Sequence, residues 1–201
     1  MKTAPKIAVL ILAAGEASRM KRPKQLLSWK QTTLLNHSIE TVSNLDNAAS
    51  FVVLGAHKDD IMPTINNSSV TVLYHENWQQ GMGTSISFGV KSIESYGDFE
   101  AILIVLADQP LVNSSYLESL IQTYMSSEKG IVASQYADTK LGVPVVFSNT
   151  YFKLLMQLKE DKGAKQILKI HREDVYALQA SDIVGDIDTY EAYEQLYKAH
   201  H

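Results

Sequence analysis

Two basic residues and a run of small ones share one connection near the start of the chain. From Leu12 to Leu27 it reads LAAGEASRMKRPKQLL, with Ala13, Ala14 and Gly15 ahead of Arg19 and Lys24. Small residues let backbone amides close on an anion, and Arg19 and Lys24 add positive charge, so the stretch suits a phosphate-gripping loop. An Ala/Gly turn followed by two solvated cations would use the same residue types. Carboxylate chemistry lies further on, where Asp108 follows the apolar run of AILIVLADQPLV, Ala101 to Val112. Magnesium takes one or two carboxylates together with phosphate oxygens and waters, so Asp108 needs a companion. GDIDTYEAY, from Gly185 to Tyr193, offers Asp186 and Asp188, two residues apart and on one face if the segment is extended. Thr189 or Asp188 could equally cap a helix beginning at Tyr190. In NWQQGMGTSISFGV, Gly81 and Gly83 precede Thr84 and Ser85, which begin a helix. Such an amide-rich helix entry can receive a base edge or a ribose, or it is a glycine turn with a Thr/Ser cap.

These groups need elements to hold them together. Ile7 to Leu12, Ser50 to Leu54, Val70 to Tyr74, Ala101 to Leu106 and Gly130 to Ser134 are short aliphatic runs of the kind that form buried strands. Thr33 to Leu45, Thr84 to Ser95 and Ser114 to Met125 carry apolar residues at helical spacing between them. The alternation predicts an α/β fold, a doubly wound and mostly parallel sheet between two helical layers. After Ser134 the pattern loosens into an antiparallel strand, Val143 to Phe147, helices over 149–158 and 162–169, and a last strand and helix over 175–198. In such a sheet ligands bind outside the carboxyl ends of the strands, which is where the first loop and Asp108 would both emerge.

Composition narrows the classes. A chain of 201 residues that is 45% hydrophobic can bury one substantial core, so one domain over residues 1–201 is expected. A net charge of −4 argues against a general affinity for nucleic acid, which would require many phosphates to be neutralised. The absence of cysteine removes disulfides, thiolate metal sites and cysteine nucleophiles, and fits a cytoplasmic location. No apolar run approaches the length of a membrane span. His37, His57, His75 and His171 show no ligand spacing.

The stretch from Leu12 to Leu27 resembles the LAAGxSxRMGxxKxLL signature of nucleotidyltransferases with the MobA-like, glycosyltransferase-A-type fold. Later segments resemble the molybdenum-cofactor cytidylyltransferase (MocA-like) branch of that family. The resemblance implies that Leu12, Ala13, Ala14, Gly15, Arg19 and Lys24 wrap the triphosphate of an incoming nucleotide. GMGTS resembles a GMGxSL segment that faces cytosine and ribose, which implies nucleotide contacts for Gly81, Gly83, Thr84 and Ser85 and favours CTP over GTP. GDIDTYEAY resembles a DIDTPEDY ending, which implies that Asp108 and Asp188 bind the catalytic cation, with Asp186 a second candidate. KLGVPVVFS, Lys140 to Ser148, and EDKGAKQIL, Glu160 to Leu168, resemble acceptor-side motifs and imply acceptor contacts for Gly142, Pro144 and Lys165. Four positions depart from the pattern: Lys21 replaces a glycine, Lys165 an arginine, Tyr190 a proline and Ala192 an acid. Lys21 is read either as an added phosphate contact or as a changed loop tip.

The expected reaction is attack of an acceptor phosphate oxygen on the α-phosphorus of CTP, with Mg²⁺ as cofactor and pyrophosphate released. A molybdopterin-type acceptor is what the branch implies, with a molybdoenzyme as a candidate partner to receive the product. Arg19, Lys24 and Asp108 would be the catalytic residues. Transfer to a sugar phosphate or another small phosphorylated acceptor is the rival enzyme reading. A nucleotide-binding accessory or chaperone module without turnover is the rival of another class.

Overall fold

The computed structural model describes residues 6–17, 20, 22–136, 140–180 and 185–200. The elements run β1 (Ile7–Ala13), β2 (Ser28–Trp29), β3 (Thr32–Thr33), α1 (Leu34–Ser43), β4 (Ala48–Leu54), α2 (Lys58–Ile61) and β5 (Thr71–Tyr74). They continue with α3 (Met82–Ile93), β6 (Ala101–Leu106), α4 (Ser114–Ser126), β7 (Ile131–Gln135) and β8 (Leu141–Ser148). The chain ends with α5 (Phe152–Leu155), α6 (Lys165–Ile170), β9 (Val175–Gln179) and α7 (Tyr190–His200).

The main sheet has the order β5-β4-β1-β6-β8-β7-β9. β1 pairs in parallel with β4 and β6, whereas β8 runs antiparallel to both β6 and β7. That is the mostly parallel, doubly wound α/β arrangement expected from the alternation of runs. The strand periodicity of two builds both helical interfaces from one strand. Ile7, Val9 and Ile11 of β1 join the cluster containing Leu35, Ile39, Leu117 and Leu120 of α1 and α4. Ala8, Leu10 and Leu12 join the opposite cluster, with Ile86 and Val90 of α3 and Ile167 and Leu168 of α6. All seven β1 residues are buried, which is why this strand is aliphatic without a polar alternate.

Local signals set several boundaries. Thr33 accepts a hydrogen bond from Asn36 N at 3.2 Å and starts α1, and Asn113 accepts one from Tyr116 N at 2.9 Å and starts α4. Thr189 does the same for α7, accepting from Ala192 N at 3.1 Å. The entry to α3 differs from what its residue types predict. α3 begins at Met82, two residues before Thr84, because Gly81 stands at φ 104°, outside the helical region, and the helix starts directly after it. The stretch 149–158 forms only a 3-10 turn and one turn of α-helix, and α6 starts at Lys165, three residues later than expected. The two-residue hairpin β2–β3 and the single-turn α2 carry too few residues for periodicity to reveal.

A third, smaller cluster matters for the site. Met20, Leu27, Trp29 and Leu34 bury Ile187 and Tyr193, tying the exit of the first loop to the start of α7. No helix among the described residues is long and apolar enough to cross a membrane.

Candidate active site

β1 and β6 are adjacent parallel strands, so their carboxyl ends open at the same edge of the sheet. Leu12 pairs with Leu106, and Ala107 N donates to Leu12 O at 3.2 Å, which brings the Ala13–Gly15 turn beside Asp108. Gln25 shapes that turn: its buried amide nitrogen donates to Ala13 O at 2.8 Å and to Gly15 O at 2.9 Å. The Lys24 ammonium is directly paired with Asp108 Oδ2. The other carboxylate oxygen, Oδ1, is buried and without a hydrogen-bond partner among the described residues. Burial pushes the Asp108 carboxyl above its ordinary value, Lys24 pulls it back, and the nearby Asp186 carboxylate pushes it up again.

The C-terminal aspartates arrive through Ile187. Its side chain is buried in the third cluster, and its amide donates to Asp108 O at 3.1 Å. Asp186 and Asp188 are exposed on either side of it. Gln109 Nε2 donates to Asp186 Oδ1 at 2.8 Å, so Asp186 is held next to Asp108 by the residue that follows Asp108 in sequence. Asp188 belongs to the same extended stretch and lines neither of the two cavities at this edge. Among the described residues no group of three or more His, Cys, Asp or Glu is gathered around one point.

Two cavities meet over this edge. The first, of about 340 Å³, is lined by Leu12 to Glu16, Lys24, Gln25, Trp78, Gly81, Ser85 and Asp108. The second, of about 580 Å³, lies between Tyr136, Gly142, Val143, Lys165 and Asp186. Leu12, Met82, Leu106 and Asp161 border both, making one cleft with two compartments of ligand size. Tyr136 donates its hydroxyl to Val143 O, and burial, with the nearby carboxylates, pushes its phenol up to about 12.

The residues singled out from the sequence thus separate by position. Leu12, Ala13, Ala14, Gly15, Lys24, Gly81, Ser85 and Asp108 line the first compartment. Gly83 and Thr84 do not. Gly83 N donates to Glu160 O at 2.8 Å, and a Cβ there would lie 2.7 Å from Lys162 O, so this glycine admits the 159–162 segment. Thr84 donates its hydroxyl to Gly81 O at 2.8 Å and meets His75 Nε2 at 3.1 Å. Of the acceptor candidates, Gly142 and Lys165 line the second compartment. Pro144 is buried in β8, and its carbonyl accepts from Ser134 Oγ at 2.6 Å. Arg19 and Lys21 lie outside the described residues. The sequence reading missed Gln25, Gln109, Tyr136, Trp78 and Asp161. Only Gln25 and Gln109 carried a signal, each sitting next to a residue already singled out.

A parallel sheet that opens a carboxylate, a lysine and an amide-rich turn into a two-compartment cleft defines a nucleotidyltransferase of α/β type. The chain belongs to the MobA-like NTP transferase domain family, whose model matches residues 9–175. The purine catabolism protein PucB of Bacillus subtilis (strain 168) is 30% identical over 208 residues, covering 97% of this chain and 98% of that protein. The bifunctional protein GlmU of Francisella tularensis subsp. novicida is 27% identical over 169 residues, 83% of this chain and 36% of GlmU. Among solved structures, Rv0371c from Mycobacterium tuberculosis H37Rv superposes with a TM-score of 0.84 at 28% identity, covering 98% of this chain and 99% of that one. A second structure of Rv0371c, a complex with manganese, gives 0.76 at 26% identity over 98% of this chain and all of that one.

Proposed function

We propose that this nucleotidyltransferase transfers CMP from CTP to the phosphate of a small acceptor, of molybdopterin type in the first instance, and releases pyrophosphate. The observation that carries the reading is the joint edge of β1 and β6. It sets an amide-rich turn, Lys24 and Asp108 at the mouth of a compartment that opens directly into a second one. The first compartment takes the nucleotide and the second the acceptor, so the acceptor phosphate approaches the α-phosphorus along the shared border. The GMGTS segment supports cytosine as the base, through its resemblance to the cytidylyl-specific branch.

The acceptor phosphate is already an anionic nucleophile, so the protein needs no activated serine or cysteine. Positioning and charge neutralisation supply the acceleration. The amides of Ala13 to Gly15 hold the triphosphate, with the Ala13 and Gly15 carbonyls tied back by Gln25 and the Ala14 carbonyl by Ala56 N. Lys24 leaves Asp108 for the phosphate chain as the nucleotide enters, and Arg19 adds its charge from the same loop. An acceptor oxygen bonds to the α-phosphorus, the bond from that phosphorus to the bridging oxygen of the β-phosphate breaks, and pyrophosphate departs with the electron pair.

Release of Lys24 frees a buried carboxylate with an orphaned oxygen beside a second carboxylate. That donor set suits a hard divalent cation with phosphate oxygens completing its shell. Asp108 and Asp186 would hold it, with Asp188 in reserve on the same stretch, and the manganese complex of Rv0371c supports a divalent metal in this fold. A cation bound there would neutralise charge building on the α-phosphate.

The test is a matrix of CTP, GTP, ATP and UTP against molybdopterin and sugar 1-phosphates with Mg²⁺, reading pyrophosphate release. CTP should lead among the nucleotides, with molybdopterin the first acceptor to try. Release with a sugar phosphate instead would move the acceptor assignment, and CTP binding without release under every acceptor would replace the enzyme reading by a binding module.

A further inference from the structure

Beyond the second compartment lies a third cavity, of about 420 Å³, whose lining is Lys140, Leu141, Lys165, Leu168, Lys169 and Arg172. Among the described residues four cations and no carboxylate line it, in a chain whose net charge is −4. None of the four side chains has an ion pair or hydrogen bond among the described residues. Lys165 and Lys169 stand four residues apart on α6, where like charges share a helix face and repel. A surface that gathers such a group bears an electrostatic cost that a bound anion would relieve.

Its position says which anion. Lys140, Leu141 and Lys165 also line the acceptor compartment, so the two spaces join through them, whereas Lys169 and Arg172 face only the outer one. Nucleotide turn, carboxylate pair, acceptor compartment and cationic ledge therefore follow one another along a single cleft. We infer that the acceptor bears a second anionic group, phosphate or carboxylate, at the end remote from the reacting phosphate, and that Lys140, Lys165, Lys169 and Arg172 bind it. The inference rests on the assignment of the second compartment to the acceptor. It makes the preferred substrates elongated molecules with an anionic group at each end. Molybdopterin has one phosphate and no carboxylate, so the inference selects among the other small phosphorylated acceptors and gives Lys169 and Arg172 a share in choosing them.

Matched probes test it without turnover: glucose 1-phosphate, glucose 1,6-bisphosphate and glucuronic acid 1-phosphate, titrated calorimetrically into the full chain with and without CTP. At low salt one or both doubly anionic sugars should bind about tenfold tighter than glucose 1-phosphate, as one or two charge-assisted contacts would give. The bisphosphate against the uronic acid then tells phosphate from carboxylate. The preference should shrink with added salt and vanish in the Lys169→Ser, Arg172→Ser double variant, with CTP affinity unchanged. Equal affinities, no binding of any of the sugars, or a preference that survives the double substitution overturns the inference. So does a polyglutamate peptide that binds while the sugars are not discriminated, since it would place an acidic protein on the ledge. Pyrophosphate release from CTP with an acceptor bearing one anionic group, alongside no preference, would leave the transfer reading standing while this inference falls.

Discussion

Lys24 is paired with Asp108 across 84 residues of sequence, joining the first loop to the exit of β6 with a charge pair that lines the first compartment. The pair explains how an Asp carboxylate is kept at a buried position where desolvation alone would favour its protonated form.

Asp108→Asn should abolish transfer while leaving the fold intact or firmer. Because the folded-state pKa of Asp108 is raised, ionising it costs stability; the penalty is absent below the ordinary carboxylate value and grows as pH rises through the raised one. Thermal denaturation from pH 4 to 7 should therefore show wild type losing ground to Asp108→Asn as pH rises. Wild type gaining ground would contradict it.

Gln25→Leu removes two hydrogen bonds to the carbonyls of Ala13 and Gly15, and should cost about 1–3 kcal/mol of stability or loop order. Gln25→Glu should do worse, since a carboxylate would face two carbonyl oxygens. Denaturant titration reads the first effect. CTP affinity reads the second and should fall in both variants.

Gly81→Ala meets both a backbone at φ 104° and a Cβ position 2.5 Å from Asp161 Oδ1. A loss of about 1–3 kcal/mol follows from strain in that region. Gly15→Ala provides the contrast, because nothing among the described residues lies within 4 Å of its Cβ position. Its stability should be unchanged, and any fall in CTP binding would then report the nucleotide contact itself.

Asp186→Asn should weaken Mn²⁺ binding by about tenfold, the loss of one charged ligand contact, and more than Asp188→Asn does. The reason is the Gln109 bridge that holds Asp186 beside Asp108. Titrations followed by electron paramagnetic resonance would separate the two. A larger loss with Asp188→Asn would shift the metal onto that residue.

Much of the scaffold was readable from the chain. Continuous aliphatic runs bounded by turns mark β1 and β6 because both of their faces are buried, and helical spacing marks α1 and α4 because only one of theirs is. The entry to α3 misled: Thr84 looks like a cap, yet Gly81 breaks the helical backbone first and Thr84's hydroxyl turns back to Gly81 O. Gly83 looked like an open approach for a ligand, and the 159–162 segment fills it instead. Residue type cannot tell a ligand's close approach from that of another part of the chain.

Elements, their order and the small-residue turn followed by cations were thus set by local chemistry, which acts between residues a few positions apart. Three relationships were not: Lys24 resting on Asp108, Asp186 held beside Asp108 through Gln109, and the cationic ledge continuing the second compartment. Each links groups separated by tens of residues. The first two exist only because β1 lies next to β6 and Ile187 is buried under Trp29 and Leu34, and the third because α6 packs beside β8. Those adjacencies come from packing the whole sheet and its clusters, where the free energy is shared among many side chains and no single stretch of sequence carries it.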